Sequence, residues 1–139
     1  MANQILLEIV TPTKLVVSQE VDLATIPGAD GVFGVMANHA PLIATLKSGE
    51  MRYATGGDST RMAVSGGFCE VSSNNRITLL AESVERAEEI DIDRALRAKE
   101  RAERRLAEAD AHREKIDMAR AQAALTRAMT RLRIAGHQT

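Results

Sequence analysis

The distribution of glycine and proline constrains this chain more than any other feature. Eight of the nine glycines and all three prolines fall in residues 1–81, while residues 82–139 hold one glycine and no proline. Turns and bends need these residues and helix interiors exclude them, so two kinds of structure are joined near residue 82. Charge runs the other way. The first stretch carries 12 charged side chains (five basic, seven acidic) and the second carries 25 (13 basic, 12 acidic). At 139 residues the chain has room for one domain, or for a compact domain with a short appendage. The expected division is a β domain over 1–84 and a helical unit over 85–139.

The first part reads as strands. Ile5–Val10 ends at Thr11-Pro12-Thr13, and Leu15–Ile26 ends at Pro27-Gly28-Ala29-Asp30-Gly31. Met51–Thr55 precedes Gly56-Gly57-Asp58-Ser59, and Met62–Ser65 precedes Gly66-Gly67. Phe68–Ser72 then leads through Ser73-Asn74-Asn75 to Arg76–Ala81. Short apolar or alternating runs at this spacing predict an antiparallel sandwich or barrel. Gly66-Gly67 inside a strand pattern predicts a bulge or a tight bend. Residues 27–42 read as a glycine-rich connection with Phe33 plugging the core.

The second part reads as two helices. Between Arg94 and Ala135 there are twelve alanines among long charged side chains, the composition of highest helix propensity. Met118, Ala121, Leu125, Ala128, Leu132 and Ala135 recur at spacings of three and four, a seam for a partner helix. Ala95, Ala98, Ala102, Leu106 and Ala109 make a weaker stripe on the first helix. Asp110–Asp117 is the expected break, and Gly136 is placed to cap the second helix. A seam of alanines lets two helices come close while burying little area, so an antiparallel hairpin that can open is expected.

Composition removes several functional classes. Three aromatic residues (Phe33, Tyr53, Phe68) and a net charge of −1 leave no stacking platform and no basic surface for nucleic acid. A single cysteine, Cys69, excludes an internal disulfide and a multi-cysteine metal knuckle and suits a reducing compartment. MANQILLEIV has no basic region followed by a long apolar run, so no secretory leader is expected, and no stretch has the length of a membrane span. A soluble intracellular chain is expected. His39, His112 and His137 lie far apart, Cys69 reads as a packed thiol, and there is no phosphate loop, metal-ligand pair or nucleophile elbow. No catalytic site and no metal are therefore expected.

Two stretches carry more. One is Pro27-Gly28-Ala29-Asp30-Gly31-Val32-Phe33-Gly34-Val35-Met36-Ala37-Asn38-His39-Ala40-Pro41-Leu42; the other is Ile90-Asp91-Ile92-Asp93-Arg94-Ala95, which also suits an acidic first helical turn. With Gly66–Val71 followed by Arg76–Ala81, they resemble the epsilon subunit of bacterial F-type ATP synthase. The likeness runs from about Leu6 to Ala135.

The resemblance implies a ten-stranded antiparallel β-sandwich followed by a two-helix antiparallel hairpin. It also implies a rotor role on the cytoplasmic face of the bacterial membrane, in contact with the membrane only through the complex. There the sandwich binds the gamma subunit and sits on the c-subunit ring, with Asp30, His39, Pro41 and Leu42 in the segment facing the ring and gamma. The hairpin of such subunits lies folded or extends into the catalytic alpha/beta head to block hydrolysis. Arg120, Arg127, Arg131 and Arg133 would then meet an acidic segment of the beta subunit, in a stretch (118–139) that has no acidic residue.

Some members of that family bind ATP as a regulatory ligand, with no cofactor otherwise required. By that likeness Glu85, Ile90, Asp91 and Ala95 match positions near base and ribose, and Arg94, Arg101, Arg127 and Arg131 match those near the phosphates. Asp91, Arg94 and Arg101 share one face (i, i+3, i+10), and Arg127 and Arg131 are i, i+4 on the second helix. Closing the hairpin would gather four guanidiniums, which suit a triphosphate. The same arginines also suit a solvated helix surface, and His39 a locally bonded loop histidine. Two further readings stay open, a stand-alone ATP-sensing module and a coiled-coil adaptor outside any synthase.

Overall fold

In the computed structural model, residues 3–112 and 115–136 are described. Eight strands come first: β1 (Ile5–Val10), β2 (Leu15–Val21), β3 (Leu23–Gly28), β4 (Gly31–Val35), β5 (Leu42–Thr45), β6 (Gly49–Thr55), β7 (Asp58–Ser72) and β8 (Arg76–Arg86). A 3-10 turn (Ala87–Glu89) then leads to α1 (Ile92–His112) and α2 (Lys115–Ile134). Two compact units result, Met1–Arg86 and Ala87–Thr139.

The strand unit is a sandwich made by one sheet folding over. Its hydrogen-bonded order is β2-β1-β8-β7-β6-β3-β4, with β5 pairing β7 off that path. The fold-over happens within β7. Its first part pairs β6, from Thr55↔Asp58 to Gly49↔Val64, and its last part pairs β5, from Thr45↔Phe68 to Leu42↔Val71. Gly66 and Gly67 sit between the two, at φ +53° and +111°. On the other edge β8 keeps one register with β7 from Met62↔Arg86 to Ser72↔Arg76. The two glycines therefore bend the strand pair without inserting a residue. Alternation along the strands then aims residues inward, with one change of phase at the β7 bend: Ile5, Leu7 and Ile9 of β1, Met62 and Val64 before the bend and Cys69 and Val71 after it in β7, and Ile77 and Leu79 of β8 join a single buried cluster.

Several expectations need correction. Among the described residues there are eight strands rather than about ten; one fewer follows from the two glycines, which bend β7 instead of ending it. The sheet is not wholly antiparallel, since β1 runs parallel to β8 from Leu6↔Arg76 to Val10↔Leu80. No hairpin links these two strands, so nothing forces the antiparallel arrangement on them. The run 15–26 is two strands, broken at Asp22, whose carboxylate accepts from Gln4 Nε2 (3.2 Å) and the Gly56 N–H (2.9 Å). Residues 27–42 contain β4, joined to β3 by the two-residue turn Ala29-Asp30 with Gly28 opposite Gly31. Phe33 is half-buried and packs against the core as expected. Gly56 and Gly57, at φ +58° and +91°, make the β6–β7 turn; positive φ at both central positions matches the twist of the strands they join.

The two helices pack against each other. The seam is built from alanine: Ala95, Ala102 and Ala109 are buried at intervals of seven on α1, and Ala121 and Ala128 likewise on α2, with Leu132 beside them. Strict sevenfold spacing of small residues permits close antiparallel approach. Thr130 and Ile134 are buried as well, off that stripe. Helix continues through 110–112 and resumes at Lys115, so the break is narrower than Asp110–Asp117, and Arg113 and Glu114 lie outside the described residues. Gly136, at φ +84°, ends α2, its N–H donating to the Arg133 carbonyl at 3.1 Å.

A Cβ at Gly67 would stand 1.9 Å from the Leu80 carbonyl oxygen, at a φ that side chains avoid. Gly67→Ala should therefore lower stability by about 3 kcal/mol or more, read as a fall in the urea midpoint of the strand unit. Gly57→Ala, with open space around it, should cost about 1 kcal/mol.

Candidate protein interface and hairpin groove

Strand register places a row of apolar side chains on the outer face of the sandwich. Phe68 pairs with Thr45 on one side and Leu80 on the other, and Leu80 pairs with Val10, which faces Leu15. Residues paired this way point to the same side of the sheet, opposite to buried Cys69, Leu79 and Ile9. Ile43 is two residues from Thr45 and shares its face. Ile43 is 74% exposed, Phe68 56%, Leu15 54% and Leu80 52%. Single exposed apolar residues are ordinary, but a stripe crossing β5, β7, β8, β1 and β2 marks a surface built to be covered. Sequence reasoning missed this stripe. Its signal was Leu80, an apolar residue out of phase with Ile77, Leu79 and Ala81.

The loop between β4 and β5 carries the expected partner-facing residues. Met36 (61% exposed) stands out from it, and Val32 (65%) stands out from β4. Asp30 is exposed in the β3–β4 turn, Pro41 and Leu42 are exposed, and His39 is partly buried. The His39 ring Nδ1 lies 2.6 Å from the Ala40 carbonyl, and its backbone N–H donates to the Met36 carbonyl at 3.3 Å. Asn38 has φ +66°, and its N–H donates to the side chain of Asn75, 37 residues away, at 2.8 Å.

Ile90-Asp91-x-x-Arg94-Ala95 has a structural role at the start of α1. The Asp91 carboxylate accepts the Arg94 N–H at 3.1 Å, and the Asp91 carbonyl accepts the Ala95 N–H at 3.0 Å. Asp91 is therefore the N-cap, bonded to the third helical residue. Ile90 and Ala95 occupy the two positions flanking the cap that a hydrophobic staple uses, and both are buried. Cap and staple account for Ile90, Asp91 and Ala95 without a ligand, and Arg94 contributes the N–H that is capped.

Farther along the hairpin, a groove of about 640 Å³ is lined by Arg105, Glu108 and Ala109 of α1 and by Asp117, Arg120, Ala121, Ala124 and Arg127 of α2, among others. It brings Arg127 together with Arg105 and Arg120. Arg94, Arg101 and Arg131 are not in its lining, and Glu85 lies on β8 opposite Ala63. Of the expected cluster Arg94, Arg101, Arg127 and Arg131, only Arg127 lines this groove, and Arg105, which sequence reasoning missed, stands in it. Three guanidiniums against two carboxylates over an alanine floor can hold a polyanion by charge-assisted hydrogen bonds. Arg133, at the end of α2, is exposed.

Catalytic chemistry has little to work with. Cys69 is fully buried, and burial, with a smaller contribution from Glu70, pushes its thiol up to about 11. It stays protonated and unreactive at neutral pH. Among the described residues no group of three or more His, Cys, Asp or Glu is arranged to hold a metal, and no helix is long and apolar enough to cross a membrane.

Comparison with known proteins agrees with this division. Residues 4–87 match the family described as ATP synthase, Delta/Epsilon chain, beta-sandwich domain, and residues 88–136 match its long alpha-helix domain. An ATP synthase epsilon chain of Nitratidesulfovibrio vulgaris is 53% identical over 108 residues, covering 78% of this chain and 80% of its own. That of Desulforamulus reducens is 50% identical over 116 residues, covering 81% and 87%. In fold, a chain of the Euglena gracilis mitochondrial ATP synthase is similar at a TM-score of 0.82, with 24% identity, over 96% of this chain and 82% of that one.

The capping role of Asp91 makes a separable prediction. Asp91→Ala should cost the helical unit about 0.5–2 kcal/mol, and Asp91→Asn, which keeps the acceptor, should restore most of it. Loss of helical circular dichroism on heating is the measurement.

Proposed function

We propose a rotor role for this chain, which belongs to the ATP synthase epsilon-chain family: a non-catalytic central-stalk subunit whose sandwich docks on the gamma subunit and the c-subunit ring. The observation that carries this reading is the exposed apolar stripe Ile43–Phe68–Leu80 on the outer face of the sheet. A flat β-face with large side chains standing out of it suits a helical partner laid across it, and gamma is the partner that the family supplies. The β3–β4 turn with Asp30 and the segment from Met36 through His39 and Pro41 to Leu42 offer a second, separate contact, assigned to the c ring. Membership of such a complex would place the chain at the cytoplasmic face of the membrane as a peripheral part.

The helical unit carries the regulatory half of the proposal. Its alanine seam is weak enough to open, and the stretch from Met118 onward has Arg120, Arg127, Arg131 and Arg133 with no acidic residue. That charge suits an acidic segment of the catalytic beta subunit when the hairpin extends. ATP is proposed as the ligand of the closed hairpin. The groove holding Arg105, Arg120 and Arg127 supports a place for its phosphates near the second helix, and Arg94, Arg101 and Arg131 complete the set that the family likeness assigns.

Two measurements test the proposal. Phe68→Glu should weaken gamma binding at least tenfold while leaving the strand unit folded, since burial of a phenyl side chain is worth about 1.5–3 kcal/mol; unchanged affinity would remove the stripe from the interface. Calorimetry at millimolar ATP should show binding to the full chain and several-fold weaker binding to Arg127→Ala. No heat from either protein would sink the nucleotide switch, leaving the rotor role intact.

A further inference from the structure

The loop after β4 is held by a residue that lies outside it. Its backbone closes a turn, with the His39 N–H donating to the Met36 carbonyl at 3.3 Å and Asn38 at φ +66° in the third position. The Asn38 N–H has no acceptor within that turn. It donates instead to Oδ1 of Asn75, in the β7–β8 turn, at 2.8 Å. The other end of the same amide, Nδ2, donates to the Gln4 carbonyl at 2.8 Å, and the Asn75 carbonyl accepts the Leu6 N–H at 3.3 Å. Asn75 itself is at φ +62°, where asparagine is tolerated better than most side chains.

We infer that Asn75 is a positioning residue: it fixes the shape in which the Met36–Pro41 loop is offered to its partner, by tying that loop to the first strand. The inference rests on the proposed contact between this loop and the c ring. The chemistry selects asparagine. One side chain must accept from a loop N–H and donate to the carbonyl of Gln4, the residue just before β1, about one amide width away, from a left-handed backbone. Aspartate keeps the acceptor but loses the donor and sets a carboxylate against the Gln4 carbonyl. Glycine keeps the backbone and loses both bonds. The strand anchor is rigid, because β1 is paired on both edges, to β2 and to β8. The loop gains order through a single side chain, leaving Met36 exposed for contact.

The test titrates full-length variants onto membranes carrying the synthase depleted of this subunit, at a temperature where far-ultraviolet circular dichroism shows each variant folded. Met36→Ala tests the loop as an interface, and Asn75→Gly tests its positioning. Both should weaken binding about five- to tenfold. The double variant should be within about twofold of the weaker single one, because a loop without its contact side chain gains little from being held. Asn75→Asp, which keeps the bond to the loop, should bind more tightly than Asn75→Gly, and it serves alone if the glycine variant does not fold. Wild-type affinity in Asn75→Gly, losses that multiply in the double variant, or Asn75→Asp at or below Met36→Ala would overturn the inference. Unchanged binding by Met36→Ala would instead remove the loop from the interface, and the proposed c-ring contact would fall first.

Discussion

Of the glycines in the strand unit, Gly67 leaves the least room for a side chain, because a Cβ there would meet the Leu80 carbonyl, and the sandwich depends on it. With any larger residue at 67, β7 and β8 could not bend together without losing register. β7 could not then pair β6 along one part and β5 along the other. The bend does more than close the core. The inward phase of β8 changes across it: Ile77, Leu79 and Ala81 are inside on one side of the bend and Val84 packs on the core on the other, while Leu80 is left outside beside Phe68. One steric constraint thus creates both the buried layer and the exposed stripe. The centre of the outer stripe cannot be rearranged without disturbing the core, because Phe68 and Leu80 each share a strand with a buried neighbour one position away.

The helical unit is built on the opposite principle. Five buried alanines contribute one methyl each, about 4 kcal/mol of burial in all, before any allowance for ordering two helices of 21 and 20 residues. Local devices therefore carry more of its definition than packing does. Asp91 caps α1, Ile90 and Ala95 occupy the staple positions, and Gly136 terminates α2. These devices specify where each helix begins and ends and say little about what the helices pack against. A unit made this way can keep its helices while changing its contacts.

Legibility in the sequence followed the range of the forces involved. Strand runs, the Gly56-Gly57 turn, the heptad alanines and the Gly136 cap are local patterns, and each stands where its spacing placed it. What could not be read came from long-range pairing. Nothing near Ile5–Val10 announces a parallel partner 70 residues away, so an antiparallel sheet was the natural expectation. β4 was hidden because Gly31 and Gly34 make a strand look like a loop, and Asp22 divided a continuous run through bonds to Gln4 and Gly56. At the candidate sites the residue types were visible and their company was not. Arg127 shares its groove with Arg105 because antiparallel helices pair by distance from their turn, which a one-helix spacing rule does not contain.

Ile90–Ala95 is where the structural and the regulatory readings meet, and the two are compatible for a physical reason. A carboxylate that caps a helix spends one lone pair on the Arg94 N–H and keeps others free. Asp91 can therefore hold the helix start while it orients a guanidinium or a ribose hydroxyl. A ligand touching that site would act on a seam worth only a few kcal/mol. At tenfold excess over its dissociation constant, a ligand of the closed form alone adds about 1.4 kcal/mol. That is small beside the strand core. A polyanion could therefore shift the hairpin without perturbing the sandwich, and the separation of a rigid docking face from a marginal helical pair is what would let one subunit remain bound to the rotor while its regulatory half changes state.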